Sequence, residues 1–242
     1  MELTVLGCSG SYGAPRGDAC SGYLVQAGGR NIWCDCGNGT LVNLQRRIDP
    51  ADLDAVVITH SHPDHCVDIF GLHVLFAYGL GIVDLPVFAP DDVEPRLAGL
   101  VHSWNGAFAW NTIDDGSTAS VGDVSLRFSR TDHPVPTMAV EFGHDGRRLV
   151  YTSDTGPAWS PAVFGEGADL VVADSSYLHD DRRSPIHLSA HQAGAIAREA
   201  DARRLVLTHL WPTVDPDECE AEGSAAFGAD VAVARVGDRF AI

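Results

Sequence analysis

Lysine is missing from the sequence: all 16 basic residues among its 242 are arginine, and they stand against 33 acidic residues. The formal net charge is therefore -17 with histidine neutral. A surface this acidic repels a large polyanion over most of its area, which argues against an extended nucleic acid as a partner. A small anionic substrate can still bind where metal ions supply local positive charge.

Signals for membranes and secretion are also lacking. No uninterrupted apolar run reaches about 18 residues, and the chain opens with the strand-like run MELTVLG instead of a basic segment followed by an apolar one. We therefore expect no membrane span, no signal peptide and a cytoplasmic location. Cys34 and Cys36 form only C-x-C, without a second pair at zinc-finger spacing. We expect the six cysteines to be reduced, small buried residues.

Short apolar runs alternate with turns and a few helical segments along the chain. The runs predict strands at 3–7, 22–28, 31–37, 54–60, 85–90, 124–133, 147–154, 168–175 and 203–209. Helical spacing predicts helices at 39–48, 66–80, 91–104 and 189–200. Ser189 and Gln192 fit a capping box at the start of the last helix. We find no repeat and no long linker, so we predict a single domain over 1–242.

The densest chemical signal is the stretch THSHPDHCVD at 59–68. It holds four candidate ligands within six residues: His60, His62, Asp64 and His65. Further candidates stand at or just past the ends of other apolar runs: His133, Asp154, Asp174 and His209. Strand ends on a rigid sheet are good places to bring functional groups together. Imidazole and carboxylate ligands without thiolates suit a catalytic zinc, iron or manganese site.

The motifs THSHPDH, TDHP, YTSDTG and LTHL resemble those of the metallo-β-lactamase fold superfamily, as do LGCSGS near the start and DCGNGT at 35–40. Within that superfamily the chain is similar to the ribonuclease Z-like and cyclic-nucleotide phosphodiesterase-like branch. The resemblance covers nearly the whole chain. It implies an α/β fold, a four-layer αββα sandwich of two mixed β-sheets flanked by helices.

The resemblance also implies two divalent metal ions, with zinc as the first candidate and manganese or iron as alternatives. Carried over by position, one ion would be held by His60, His62 and His133. The second would be held by Asp64, His65 and His209, and Asp154 would bridge the two. Two ions about 3.5–4 Å apart would lower the pKa of a bridging water, so that a hydroxide attacks a phosphoryl centre and Asp64 helps to orient it.

The branch assignment depends on the segment VVADSSYLHDDRRSPIHLSAHQAG. In ribonuclease Z-like enzymes a carboxylate at the end of this strand supports a histidine that protonates the leaving oxygen. The corresponding residues here are Asp174 and His187, and such general-acid help is worth about 10²–10⁴-fold in rate. The family usually has Glu where Asp174 stands, so the geometry of the pair is left open. The alternative is that His187 merely precedes a helix cap.

Ribonuclease Z-type processing of transfer RNA is the alternative function within the family. Against it, the first loop lacks the basic pattern of ribonuclease Z, Asn38 and Leu41 replace its Glu and Gln, and no Lys-rich arm is inserted. We therefore predict a dinuclear-metal-dependent phosphodiesterase for a small anionic phosphodiester, with a 3′,5′-cyclic nucleotide as the first candidate. A homodimer is compatible with this prediction.

Two hypotheses from other classes compete with phosphodiester hydrolysis. A non-catalytic metal-binding protein of the same fold predicts a defective ligand set, whereas the set here is complete. Hydrolysis of a lactone or thioester is a further alternative, and His187 speaks against it. Among the remaining aromatic residues, Trp104, Phe108 and Trp110 are predicted to be half-buried core, with a wall that stacks a base over the metals as the second interpretation.

Overall fold

The computed structural model describes residues 1–15, 18–181 and 185–242. Fourteen strands are present in this part of the chain: β1 Glu2–Gly7, β2 Gly22–Ala27, β3 Arg30–Cys34, β4 Ala55–Val57, β5 Leu85–Ala89, β6 Phe108–Thr112, β7 Thr118–Val121, β8 Val124–Arg130, β9 Met138–His144, β10 Arg147–Tyr151, β11 Leu170–Asp174, β12 Leu205–Thr208, β13 Ala232–Val233 and β14 Arg239–Ala241. The α-helices are α1 Thr40–Gln45, α2 Pro63–Cys66, α3 Ile69–Val74, α4 Val93–Ala98, α5 Ala190–Glu199 and α6 Pro216–Phe227.

The strands form two mixed sheets of seven strands each. The first has the order β14-β1-β2-β3-β4-β5-β6 and the second the order β13-β12-β11-β10-β9-β8-β7. In the first sheet β3 to β6 are parallel, and in the second β10 to β13 are parallel. Neighbouring parallel strands end at the same edge of a sheet. The loops that follow β3 and β4 therefore lie side by side, and so do the loops that follow β10, β11 and β12.

Three apolar layers hold the sheets and helices together. The middle layer packs side chains of one sheet, such as Tyr23 and Val57, against side chains of the other, such as Phe128 and Leu170. One outer layer joins the first sheet to α1, α3 and α4, and the other joins the second sheet to α5 and α6. This arrangement is the four-layer αββα sandwich that the sequence predicted.

Several predicted strands end earlier in the structure, because the chain turns within two residues of the observed strand ends. Asp35, Ser153 and His209 have positive φ angles of 59°, 53° and 59°, and each lies within two residues of a strand end. A residue in the left-handed region cannot continue a strand, and the pattern of apolar residues does not reveal where such a residue occurs. After β4, the amide of Thr59 donates to the side chain of Asp35 and not to a neighbouring strand.

Helices are also shorter than predicted, and some elements were missed. The helix expected at 66–80 consists of α2, α3 and a π-helical continuation, Leu75–Leu80. The strands β6, β7, β9, β13 and β14 and the helix α6 were not predicted. For α6 the signals were present, since Asp215 caps it, Pro216 opens it and acids fill its first turn.

All six cysteines are buried, as predicted. No helix in the described ranges is long and apolar enough to cross a membrane.

The predicted capping box is present and starts α5 next to the candidate site. Ser189 Oγ accepts from the Gln192 amide at 3.2 Å, and Gln192 Oε1 accepts from the Ser189 amide at 3.0 Å. We expect Ser189→Ala to lower the free energy of unfolding by about 1 kcal/mol, because a backbone donor then loses its acceptor. Urea denaturation measures the change, and Ser189→Thr is the control because it keeps a hydroxyl. An unchanged midpoint for Ser189→Ala would contradict the capping role.

Candidate metal centre

The histidine-rich loop leaves β4 and runs directly into α2. His62 has extended dihedral angles, φ -69° and ψ 142°, and Pro63 occupies the first helical position. Proline is preorganised for that position, so it fixes the point at which the extended loop becomes helical. Asp64 and His65 follow in the first turn, while His60 and His62 lie on the loop. The ligands of the H-x-H-x-D-H motif therefore reach the candidate centre from an extended loop and from the first turn of a helix.

Three imidazoles form the first part of the centre. His62 Nδ1 lies 3.1 Å from His60 Nε2 and 3.3 Å from His133 Nε2. His133 Nδ1 faces the carbonyl oxygen of Ile186 at 3.2 Å, so that nitrogen donates and the neutral ring turns a lone pair of Nε2 inward. Converging lone pairs of this kind suit a cation. The ligand atoms of this first set all lie within 4.8 Å of one another: His60, His62, His133 and Asp154.

The second part of the centre combines Asp64, His65 and His209, whose ligand atoms also lie within 4.8 Å of one another. Asp154 lies between the two parts. Its Oδ1 is 3.2 Å from His65 Nε2 and 3.4 Å from His209 Nε2. Its Oδ2 is 3.6 Å from His60 Nε2. The structure thus places all seven sequence-predicted ligands close together. A further group overlaps these two, because the ligand atoms of Asp154, Asp174, His187 and His209 also lie within 4.8 Å of one another.

Two buried atoms test whether these residues fit metal ions. His65 Nε2 and Asp154 Oδ1 are both buried, and neither has a hydrogen-bond partner. A buried polar atom without a partner costs about 1–3 kcal/mol, and more when it is charged. These two atoms are 3.2 Å apart and point into the cluster, where a divalent cation would satisfy both. The donor set, with histidine and carboxylate and no thiolate, fits zinc, manganese or iron.

Buried polar groups behind the ligands fix their orientation. Asp35 Oδ2 accepts from His65 Nδ1 at 2.7 Å, which leaves Nε2 of that ring facing the centre. Ser176 Oγ lies 2.9 Å from His209 Nδ1 and donates to Asp174 Oδ1 at 2.8 Å. Partners of this kind set the tautomer and the basicity of a ligating histidine. Sequence reasoning assigned no role to Asp35 or Ser176, although both lie in the quoted motifs next to strand ends.

The predicted acid–base pair is formed. His187 Nδ1 is 2.8 Å from Asp174 Oδ2, so the shorter aspartate arm reaches the ring. The His187 ring lies 5.4 Å from the His133 ring and stacks at 5.1 Å on the His209 ring. Because one Asp174 oxygen accepts from His187 and the other from Ser176, this carboxylate is committed to orienting its neighbours. His187 borders the metal centre and can face a group bound there.

Burial and charge divide the histidines into two kinds. Burial lowers the pKa of His60, His62 and His133, so these rings are held neutral with a lone pair available. Burial also opposes protonation of His65 and His209, but the surrounding carboxylates, with Asp154 foremost, together outweigh it and raise both pKa values, to about 10 for His209. Metal ions would therefore displace protons at the second part of the centre.

Neighbouring charges also act on the carboxylates and on His187. Burial favours the neutral acids, yet the histidines outweigh it and lower the pKa of Asp64, Asp154 and Asp174. For His187, burial is outweighed by Asp174, which raises the pKa of the ring. The three carboxylates are thus ionised and can bind cations or orient histidines.

The aromatic segment lies elsewhere. Trp104 stacks on Phe70 at 5.9 Å, lies 5.5 Å from Trp110 and meets His73 edge-on at 5.3 Å. These rings belong to the layer between the first sheet and its helices. The packing agrees with the first interpretation of the segment, half-buried core.

Two mixed sheets flanked by helices, with histidines and aspartates gathered past their strand ends, define a metallo-β-lactamase fold. Residues 30–210 match the family model described as Beta-lactamase superfamily domain. The probable metallo-hydrolase YhfI of Bacillus subtilis is 33% identical to this chain over 98% of both chains. The chain therefore belongs to this superfamily, and to the part of it that includes YhfI.

Other comparisons agree with this placement. The crystal structure of YhfI has a TM-score of 0.88, 30% identity, and covers 99% of this chain and 98% of its own. Ribonuclease Z of Natronomonas pharaonis is 28% identical over 98% of this chain and 96% of its own. A diphosphatase of the PhnP family shares the fold at a TM-score of 0.83, with 19% identity and coverage of 100% and 97%. The predicted resemblance and fold class are confirmed.

We expect the purified protein to bind about two transition-metal ions per chain, and His65→Ala to lose most of the second. The reason is that His65 supplies a buried, otherwise unpartnered nitrogen to the second part of the centre. Elemental analysis after loading with zinc or manganese measures the content. His73→Ala is the matched control, because it removes a buried imidazole outside the described ligand groups. Absence of bound metal after loading at neutral pH would disprove the dinuclear site.

Proposed function

We propose that this protein is a dinuclear-metal-dependent phosphodiesterase that hydrolyses a small phosphodiester, with a 3′,5′-cyclic nucleotide as the first candidate. The observation that carries the proposal is the Asp174–His187 pair beside a complete ligand set. Asp174 holds His187 Nδ1 at 2.8 Å, and the ring borders ligands from both parts of the centre. A complete ligand set with an adjacent acid also disfavours a non-catalytic role.

Two divalent ions, when bound, supply positive charge for the phosphoryl oxygens and a water nucleophile of lowered pKa. The chain's own residues do the positioning. Asp64 Oδ2 accepts from the backbone amide of Ser11 at 2.8 Å, which fixes its carboxylate at the rim of the centre, where it can orient the attacking water. His187 can hold a proton on Nε2 and give it to the departing oxygen, because Nδ1 is engaged by Asp174.

The distribution of charge favours a small substrate over a folded RNA. Many arginines of the described chain are already paired with carboxylates: Arg30, Arg96, Arg127, Arg147, Arg148, Arg203, Arg235 and Arg239. Paired arginines offer little free charge to a phosphate backbone. A single phosphodiester needs no such track. The relatives named ribonuclease Z and diphosphatase carry names that denote reactions at phosphate groups, in agreement with this class of substrate.

The role of His187 leads to a leaving-group test. We expect His187→Ala to slow hydrolysis of cyclic AMP by about 10²–10⁴-fold, because the leaving ribose alkoxide needs a proton. Bis(p-nitrophenyl) phosphate should be much less affected, since p-nitrophenolate leaves without one. Asp174→Asn should show the same trend more weakly, and metal content should stay near that of the parent. Equal losses on both substrates would show that His187 does not act as the general acid.

Substrate size separates the proposal from transfer-RNA processing. We expect kcat/KM for cyclic AMP to exceed that for precursor transfer RNA in the same metal-loaded preparation, because the acidic surface opposes RNA binding. Steady-state assays on both substrates, with ribonuclease Z as the positive control for RNA, make the comparison. Efficient 3′ processing of the RNA with negligible cyclic AMP turnover would reverse the assignment in favour of ribonuclease Z. Thioester or β-lactam turnover alone would move the chain to another hydrolase class.

A further inference from the structure

A row of aromatic rings runs outward from the candidate general acid. The Tyr177 ring lies 6.3 Å from the His187 ring, Trp211 lies 5.8 Å from Tyr177, and Tyr12 meets Trp211 edge-on at 5.7 Å. Exposure rises along the row: Tyr177 is 4% exposed and Tyr12 is 49% exposed. Trp211 is half-buried between them. We call Tyr12 and Trp211, with Tyr177 behind them, the aromatic wall.

The backbone fixes this wall to the metal centre. Ser11 donates its amide to Asp64, so Tyr12 is one residue away from a contact with a predicted ligand. Gly10 packs so tightly on His209 that a Cβ at Gly10 would lie 2.6 Å from the His209 carbonyl oxygen. Gly10 also donates to the Leu210 carbonyl at 2.9 Å. The loop that carries Tyr12 therefore lies against the segment that carries His209 and Trp211.

The wall is uncharged in a chain that is otherwise strongly acidic. Residues 9–15, SGSYGAP, and residues 210–214, LWPTV, contain no ionisable acid or base apart from the Tyr12 hydroxyl, against a net charge of -17 for the whole chain. An anionic substrate meets no carboxylate of these two segments as it approaches the centre. Partly exposed aromatic rings offer a flat apolar face that any nucleobase can stack on.

We propose that the aromatic wall is the base-binding site of this protein, with Trp211 and Tyr12 as specificity-determining residues for a nucleotide phosphodiester. This proposal rests on the proposed phosphodiesterase function and deepens it. A nucleotide places its base on the far side of the ribose from phosphorus. With the phosphate at the metal ions and the leaving oxygen near His187, the base would extend along the row of rings toward Trp211. Trp104 and Trp110 are also half-buried, but their ring contacts are with Phe70, His73, Phe108 and each other, and no ring contact in the described ranges joins them to His187.

Two cyclic esters that share the leaving 3′ oxygen of ribose test the wall. Cyclic AMP and methyl ribofuranoside 3′,5′-cyclic phosphate have equal charge and differ in the base. We expect Trp211→Ala and Tyr12→Ala to lower kcat/KM for cyclic AMP by about tenfold, since stacking is worth about 1–3 kcal/mol per base and about 1.4 kcal/mol is tenfold. The methyl riboside ester should change by less than about twofold, because it has no base to stack. Trp211→Phe, which keeps an aromatic face, should retain most of the preference.

Tyr78→Ala is the matched control, since Tyr78 is 72% exposed and lies in the π-helical segment outside the wall. It should leave both esters unchanged. Tyr12→Ala keeps the test valid if Trp211→Ala does not fold, because Tyr12 is largely exposed while Trp211 packs on the layer beneath α5 and α6. Equal losses on both esters, or no loss on either, would disprove the base-binding role.

Binding measurements keep the wall testable even without turnover. The parent protein, loaded with metal, should bind AMP about tenfold more tightly than ribose 5-phosphate in titration calorimetry, and Trp211→Ala or Tyr12→Ala should remove the difference. If neither ester is hydrolysed but this preference exists and is lost in the variants, the phosphodiesterase proposal fails and the wall stands. If the esters are hydrolysed and AMP shows no advantage in the parent, the wall fails and the phosphodiesterase proposal stands.

Discussion

The metal centre depends on one buried carboxylate, that of Asp35. It has no exposed surface and accepts from the Thr59 amide at 2.8 Å, the Thr59 hydroxyl at 3.0 Å, His65 at 2.7 Å and the Tyr151 hydroxyl at 3.0 Å. Thr59 follows a strand of the first sheet and Tyr151 ends a strand of the second, so this carboxylate joins the two sheets where the ligands converge. A buried charge is tolerated only with such a set of donors. The hydrogen bonds that stabilise the buried Asp35 carboxylate also orient the His65 ring toward the centre.

The other buried carboxylates extend this constraint to the whole site. Asp174 is satisfied by protein donors, namely His187 and Ser176, and it therefore acts as an orienting group. Asp154 Oδ1 has no such donor and faces histidine nitrogens instead. The two carboxylates therefore differ in function. Asp174, whose oxygens accept hydrogen bonds from protein donors, positions the candidate acid, whereas Asp154, with an oxygen that lacks a donor, is suited to bind cations. Under the proposed function, metal ions would supply the local positive charge that attracts an anionic substrate to an acidic protein, since many arginines elsewhere are held in ion pairs.

The fold class could be predicted because the motifs that carry the family resemblance are local stretches of sequence. Apolar runs located most strands. The assignment of His60 and His65 to separate metal ions was implied by the resemblance and stays a prediction. Strand ends were predicted too late, since the left-handed turns at Asp35 and His209 leave no mark in hydrophobic periodicity. The role of Ser176 was invisible for another reason. Its hydroxyl matters only because folding brings His209 and Asp174 to either side of it.

The proposed function assigns reaction chemistry and substrate choice to different parts of the backbone. The ligands and the acid follow strands of two packed sheets, where a displacement would disturb a buried hydrogen-bond network. Tyr12 lies on a loop before β2, and Trp211 lies on the connection from β12 to α6, so either ring can change without altering a strand. Both segments are nevertheless fixed to the centre through the Ser11–Asp64 hydrogen bond and the close packing of Gly10 on His209. Under the proposed function, a rigid centre with an exchangeable wall would let the fold keep one hydrolytic mechanism while the side chains that contact the rest of the substrate vary.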